Sequence, residues 1–308
     1  APAEADGPVW TYVCTRQEKP STELPGAMQV LLEASDPELK VWAPNPEEAL
    51  FEYDEIFRRR CYGPEPLEAP SWAGLPTARL ESERPLIVVD AGMNLGVFQL
   101  LLQRFCRAPT TSLAFEPAPD IFKLAVQTCR EAGIDVTEHY DLPAEPLAVR
   151  TRPGLEVHAF QMALSDEVGT LSFMHFPESP ANSGLSKHGP SQRWPEGQVP
   201  ANVEFEVACC RLSNVLDKLD EPGRKGADIF LKVDVEGAEV DLLRGIDDKH
   251  WVRICGLAVE ASAGGEEVME LCSGGGCDKA LSVKQPGAEA QGERTDSQAL
   301  CMVFASPG

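Results

Sequence analysis

The run Leu86-Ile87-Val88-Val89-Asp90, followed by Ala91-Gly92-Met93-Asn94-Leu95-Gly96, decides how this chain folds. A short apolar, β-branched stretch reads as a buried parallel strand. It stops at an acid, and the turn beyond carries two glycines four residues apart. Glycine takes positive φ and lets a ligand approach the backbone. The apolar residues that follow, Val97-Phe98-Gln99-Leu100-Leu101-Leu102, fit the start of a helix. Open α/β sheets hold nucleotide-like ligands at their carboxyl edge with this sequence of strand, glycine turn and helix.

Working outward, residues 111–115 read as a second strand, and Glu116 stands 20 residues after Gly96. An acid at that strand tip accepts hydrogen bonds from ribose hydroxyls, so the sequence offers a nucleoside pocket. A dinucleotide site wants G-x-G-x-x-G. Here the spacing is D-x-G-x-x-x-G, with Asn94 where the second glycine would stand. No lysine follows the last glycine, which excludes a phosphate-binding P-loop. An acid beside the turn suits a ligand with a cationic end, such as the amino group of a methionine moiety. S-adenosylmethionine is therefore expected over NAD, and the bland alternative is a tight βα turn that binds nothing.

Composition narrows the partners. At 308 residues, 43% of them hydrophobic, the chain can bury one large α/β core. Its net charge of −22 repels nucleic-acid phosphates and anionic lipid, so no nucleic acid and no membrane partner is expected. The ten cysteines are scattered without any C-x-x-C pair. That pattern reads as buried thiols in a reducing compartment, here the cytoplasm, and not as a zinc site or a disulfide framework. No metal is expected, and no apolar run approaches the length of a membrane span. The chain begins at Ala1 and not at Met, from which we expect it to be part of a larger multidomain polypeptide.

The organisation expected along the chain is an N-terminal extension, residues 1–84, packing on a catalytic domain of residues 85–308. Within the extension, residues 27–34 read as a short helix and 41–44 as an extended piece. Residues 46–62 read as a helix capped by Asn45, with Leu50, Tyr53, Ile56 and Phe57 on one apolar face. Residues 64–84 are proline-rich and read as a loop. From residue 86 strands and helices alternate. Expected elements are a helix over 119–133, a loop over 137–155 and a strand over 157–164. The run from Asp166 to Met174 carries a hairpin signal. A long loop over 177–200 precedes an edge strand at 203–209. Short helices follow at 212–219, 238–245 and 266–272, between strands at 228–235 and 255–260, and 298–305 reads as a last strand. The pattern is that of a doubly wound, mostly parallel sheet with a late antiparallel strand.

A second constellation follows: Lys232-Val233-Asp234-Val235-Glu236-Gly237-Ala238-Glu239 after an apolar run. Alternation along a strand puts Lys232, Asp234 and Glu236 on one face if the strand extends that far. Three charges at the end of a buried strand are costly unless paired. In the functional reading Asp234 takes a proton from an attacking hydroxyl or holds it in line, Lys232 stabilises a forming alkoxide, and Glu236 orients substrate. In the structural one the three form an ion network that pins the strand end. His188 and Asn182, in the long loop, are candidates for acceptor contact.

Taken together these motifs resemble the FkbM family of S-adenosylmethionine-dependent methyltransferases. The family's D-x-G-A-N-x-G is matched by Asp90 through Gly96 and its F-E-P by Phe115-Glu116-Pro117. Its A-L-S-D with a following glycine is matched by Ala163-Leu164-Ser165-Asp166 and Gly169. Its K-x-D-x-E-G-x-E with a downstream L-x-G is matched by Lys232 through Glu239 and by Leu243-Arg244-Gly245. The segment Tyr53-Asp54-Glu55-Ile56-Phe57 also looks like one that often precedes the domain. Met93 departs from the usual alanine, and Ala261-Ser262 follow Glu260 where relatives often place a histidine. The resemblance implies a class I, Rossmann-like methyltransferase sheet, with transfer to a hydroxyl of a secondary-metabolite, sugar or polyketide-like acceptor. It implies that Asp90, Gly92, Asn94 and Gly96 line the methionine end, that Glu116 meets the ribose, and that residues around Ala163 lie near adenine. Two rivals stand beside this: a non-catalytic domain of the same fold serving as an interaction module, and an NAD-dependent oxidoreductase.

Overall fold

The computed structural model describes residues 26–33, 38–59, 61–62, 83–189, 199–220, 226–261, 265–274, 282–284 and 301–305. The N-terminal part holds the first departure from expectation. Residues 27–34 are not a helix: β1 (Met28–Glu33) pairs antiparallel with β2 (Leu39–Ala43). Val30 and Leu32 are buried, as are Leu39, Val41 and Ala43. The two-residue alternation of a strand outweighs the weak helical spacing once a partner strand is present. The Trp42 amide donates to Thr128 Oγ1 at 2.9 Å, which ties this hairpin to the main body.

Asn45 caps helix Pro46–Tyr53 as expected, its side chain accepting from the Glu48 amide at 2.9 Å. The helix then widens into a π turn, Asp54–Arg58, a rare form that recurs at functional sites. It ends short of the predicted Tyr62. Ile56 is buried, while Leu50, Tyr53 and Phe57 pack partly buried against the core. Glu48 and Glu52 are buried as well. The loop expected over 64–84 lies outside the described residues except for 83 and 84.

Five strands follow: β3 (Leu86–Ala91), β4 (Pro109–Phe115), β5 (Asp135–His139), the short β6 (Leu147–Ala148) and β7 (Gly154–Phe160). The chain then enters a small sheet of β8 (Ala163–Leu164), β9 (Gly169–His175), β10 (Gly184–Leu185) and β11 (Val203–Cys210). After β12 (Leu219–Asp220), which pairs with β6, come β13 (Asp228–Val233), β14 (Ile254–Ala261), β15 (Ser282–Lys284) and β16 (Cys301–Ala305). Among the described residues the main sheet has the order β15-β16-β14-β13-β3-β4-β7-β5. Its pairings are parallel except those made by β16, which runs antiparallel to β14 and β15. This is the expected doubly wound, Rossmann-like α/β architecture.

Every residue of β3 is buried, because neighbours flank it and helices cover both faces. One core lies under helices Val97–Phe105 and Pro119–Glu131 and the N-terminal segment; the other lies under helices Glu239–Arg244 and Gly265–Gly274. The chain leaves β3 toward β4 and later returns to β13 on its other side. The carboxyl ends of β3 and β13 therefore flank a topological switch point, where such sheets place their ligands.

Three expectations need correction. The stretch 137–155 is not simply a loop, since it contains the end of β5, all of β6 and the start of β7. The half-exposed β5 lacks the apolar run that marks an interior strand. The turn at Asp166 does not join paired strands. The small sheet has the order β10-β9-β11-β8, so β11 separates the two segments. For the same reason β11 is interior and not an edge: alternation reports which face is wet, not a strand's rank in the sheet.

Candidate active site

A cleft of roughly 1010 Å³, open to solvent, lies at the carboxyl ends of β3, β4, β7 and β13. Two non-glycine residues among those described have left-handed backbone, Asn94 with φ 42° and Glu236 with φ 50°, and both line it. Such strain is concentrated at binding sites because the surrounding structure must hold it. Gly92, with φ 87°, marks where two strand tips meet: a Cβ there would lie 1.8 Å from the Asp234 carbonyl oxygen. The turn can take no side chain at that position.

Glu116 sits at the tip of β4, 7% exposed, on the cleft wall. Its Oε2 accepts from the Asn94 amide at 3.1 Å and its Oε1 from the Ala118 amide at 2.9 Å. Burial pushes its pKa up to about 7, against the pull of these two amides. Ala163, Met162 and Phe115 extend the cleft as an apolar wall beside it.

Not all of the turn motif reaches the cleft. Asp90 has no exposed surface; its carboxylate pairs with Lys232 Nζ at 3.0 Å and accepts from Gln99 Nε2 at 2.6 Å. Register explains this, since Lys232 of β13 stands opposite Asp90 of β3. Gly96 also lies away from the ligand space. A Cβ on it would come within 3.2 Å of Ala125 O and 3.3 Å of Cys129 Sγ, so it serves helix packing. Gly92 and Asn94 do line the cleft, together with Met93.

Lys232 lines the cleft, but its contacts are mostly with the protein itself. It is 2% exposed, donates to the Gly92 carbonyl at 2.8 Å, and lies 4.9 Å from the centre of the Tyr62 ring. Burial alone would lower its pKa. The carboxylates of Asp90 and Asp234 outweigh that and hold the ammonium above the ordinary lysine range. Asp234 lies 3.6 Å from Lys232 and faces the cleft. The strand ends at Val233, and Glu236 reaches the cleft through its left-handed turn, not by strand alternation.

Several residues that line the cleft were not picked out as site residues from sequence. The Tyr62 hydroxyl lies 2.9 Å from both Asp234 Oδ2 and Glu260 Oε2. One hydroxyl proton serves only one acceptor at a time, and burial, then the Asp234 charge, push the Glu260 pKa up to about 9. Glu52 and Glu55 come from the N-terminal helix and its π turn. Ser183 also lines the cleft; its Oγ lies 3.2 Å from His175 Nδ1, and His175 Nε2 lies 3.0 Å from Asp120 Oδ2. His188 pairs instead with Asp241 at 2.9 Å, and Asn182 bonds Ser179; neither lines the cleft. Among the described residues no group of three or more His, Cys, Asp or Glu side chains could hold a metal ion.

An open parallel sheet that reverses order beside β3, with a carboxylate-lined cleft at that point, defines a Rossmann-like α/β protein with its ligand site at the strand ends. Comparison narrows the class. Residues 90–273 match the family described as Methyltransferase FkbM domain. Methyltransferase sdnD of Sordaria araneosa is 34% identical over 238 residues, covering 72% of this chain and 78% of that protein. Methyltransferase 1 of Beauveria bassiana is 31% identical over 222 residues, covering 69% and 73% respectively. The 31-O-demethyl-FK506 methyltransferase FkbM of Streptomyces tacrolimicus is 29% identical over 236 residues, covering 70% and 75%. No solved structure matches the chain. The chain belongs to the FkbM methyltransferase family, and it is a methyltransferase.

Proposed function

We propose that the protein is an S-adenosylmethionine-dependent O-methyltransferase that acts on a hydroxyl of a small-molecule acceptor of secondary-metabolite, sugar or polyketide-like type. The observation that carries this is the placement of Asp234, an acid at the tip of the strand beside β3, in the same cleft as Glu116. The name of the Streptomyces relative, a 31-O-demethyl-FK506 methyltransferase, supports the acceptor class.

The residues present fit an adenosyl ligand. Asn94 Oδ1 is buried and has no hydrogen-bond partner among the described residues, although it belongs to a turn that lines the cleft. An orphaned acceptor there suits a donor brought by a ligand. In this reading Glu116 accepts from the ribose hydroxyls, and Ala163 and Met162 flank the base. When bound, the sulfonium supplies an electrophilic methyl group.

The chain's own part is to position and to move a proton. Asp234 accepts the proton of the acceptor hydroxyl. Tyr62 fixes the rotamer of Asp234, and Lys232 holds the two strand tips together through Gly92 and Asp90. Phe51, Ile56, Phe173 and Leu185 give the cleft an apolar lining. Glu55 and Glu236 disfavour an anionic acceptor and leave a neutral hydroxylated one as the best match.

The test is transfer of a labelled methyl group from S-adenosylmethionine to pools of hydroxylated metabolites, with the product identified by mass. Asp234→Asn is expected to bind S-adenosylhomocysteine normally and to lose turnover. Undiminished turnover would remove Asp234 from the mechanism.

A further inference from the structure

With Asp90 sealed beneath Lys232, the methionine end of the proposed ligand lacks the acid that the turn motif promised. We propose that Glu52, from the N-terminal helix, holds the ammonium group of that end; the inference rests on the adenosyl reading above. Two consecutive amides of the glycine turn carry the argument. The Asn94 amide donates to Glu116 Oε2 at 3.1 Å, and the next one, of Leu95, donates to Glu52 Oε1 at 3.3 Å. The turn is therefore bracketed by two carboxylates, one from β4 and one from outside the sheet. Both line the cleft, as do Gly92 and Asn94 between them.

Glu52 is 5% exposed and caps no helix. Burial pushes its carboxyl well above the ordinary range, and the nearest compensating cation, Lys232, is already shared between Asp90 and Asp234. A carboxyl so placed is costly to ionise, and a ligand cation would supply the missing charge. Adenosyl ligands carry their cationic amino-acid end on a short flexible chain from the ribose, so the acid that holds it must line the same cleft as the ribose-binding carboxylate. Glu52 binds the amide next to the one held by the ribose-binding carboxylate and lines the same cleft, which puts it within the span of one such ligand.

The experiment compares two ligands by calorimetry in wild type and Glu52→Gln. S-adenosylhomocysteine carries the ammonium; 5′-methylthioadenosine keeps the nucleoside and lacks it. Glutamine retains an oxygen for the Leu95 amide. In E52Q, S-adenosylhomocysteine should bind about tenfold or more weakly while methylthioadenosine stays within about twofold. Unchanged binding of the first, or an equal loss of both in a folded variant, overturns the proposal. If E52Q does not fold, wild type decides: S-adenosylhomocysteine should bind at least about tenfold more tightly than its desamino analogue, and equal affinity overturns the proposal. Wild type that binds neither nucleoside refutes the adenosyl reading itself, a result separable from failure of the Glu52 assignment alone.

Discussion

Replacing Lys232 by Met tests whether the lysine is a structural cation or a group that acts on substrate. Asp90 is fully buried and Lys232 is 2% exposed, 3.0 Å apart. Removing one partner of such a pair leaves an uncompensated buried charge and costs about 3–5 kcal/mol. The Gly92 carbonyl also loses its 2.8 Å donor, a further loss of about 1 kcal/mol. We expect K232M to lose on the order of 4 kcal/mol in urea unfolding near neutral pH, a large share of a typical ~5–15 kcal/mol.

The loss should depend on pH in a fixed direction. Burial already pushes the Asp90 carboxyl up, with Lys232 the leading opposing influence. Without the ammonium the folded pKa rises further above the unfolded one. The ionised form then favours the unfolded chain, so K232M loses stability as pH rises from the ordinary aspartate range through the raised folded value. The variant should be less impaired at acid pH than at neutral pH. Adding Asp90→Asn removes the stranded charge and should restore most of the loss. A deficit under about 1 kcal/mol, or no recovery in the double variant, would refute a structural pair and return Lys232 to the catalytic candidates.

Three further outcomes follow from the geometry. Because burial pushes Glu116 up to about 7, S-adenosylhomocysteine affinity should increase as pH rises through that value and the carboxylate ionises; calorimetry between pH 6 and 8 giving a flat profile in wild type would sink this role. Gly92→Ala places a Cβ 1.8 Å from the Asp234 carbonyl, so it should cost about 2 kcal/mol or more and abolish ligand binding; a variant with unaltered melting and affinity would contradict the strand-tip contact. Tyr62→Phe leaves Asp234 and Glu260 without their shared donor. It should lose about 1–3 kcal/mol and reduce turnover, as read by unfolding and methyl-transfer assays, whereas full activity would show the hydroxyl to be idle.

The parts of the site that sequence revealed are those set by local pattern. The β3 run announces a buried parallel strand because its apolar residues are continuous, and Glu116 follows at the spacing a second strand requires. Asp234 is likewise visible at the end of an apolar run. The parts it concealed depend on which strands are neighbours. Asp90 reads as a ligand acid until Lys232 is found opposite it, and that pairing follows from sheet order, not from either strand alone. Gly96 belongs to helix packing for a similar reason. Tyr62 and Glu52 come from a segment whose docking no periodicity specifies. One signal was available for Glu52: it lies three residues after Ala49 and four before Ile56, an acid within the buried stripe of its helix. An acid in such a stripe asks for a partner, and the structure supplies the Leu95 amide.

The family match begins at residue 90, yet Phe51, Glu52, Glu55, Ile56 and Tyr62 contribute to the cleft from upstream. The sheet thus provides the anchoring floor, while a stretch upstream of it, packed into the same core, forms another wall. Trimming an expression fragment to the family boundary would remove Leu86–Val89 of the buried central strand together with that wall, so such a fragment should fail to fold, and a productive one must start upstream of both.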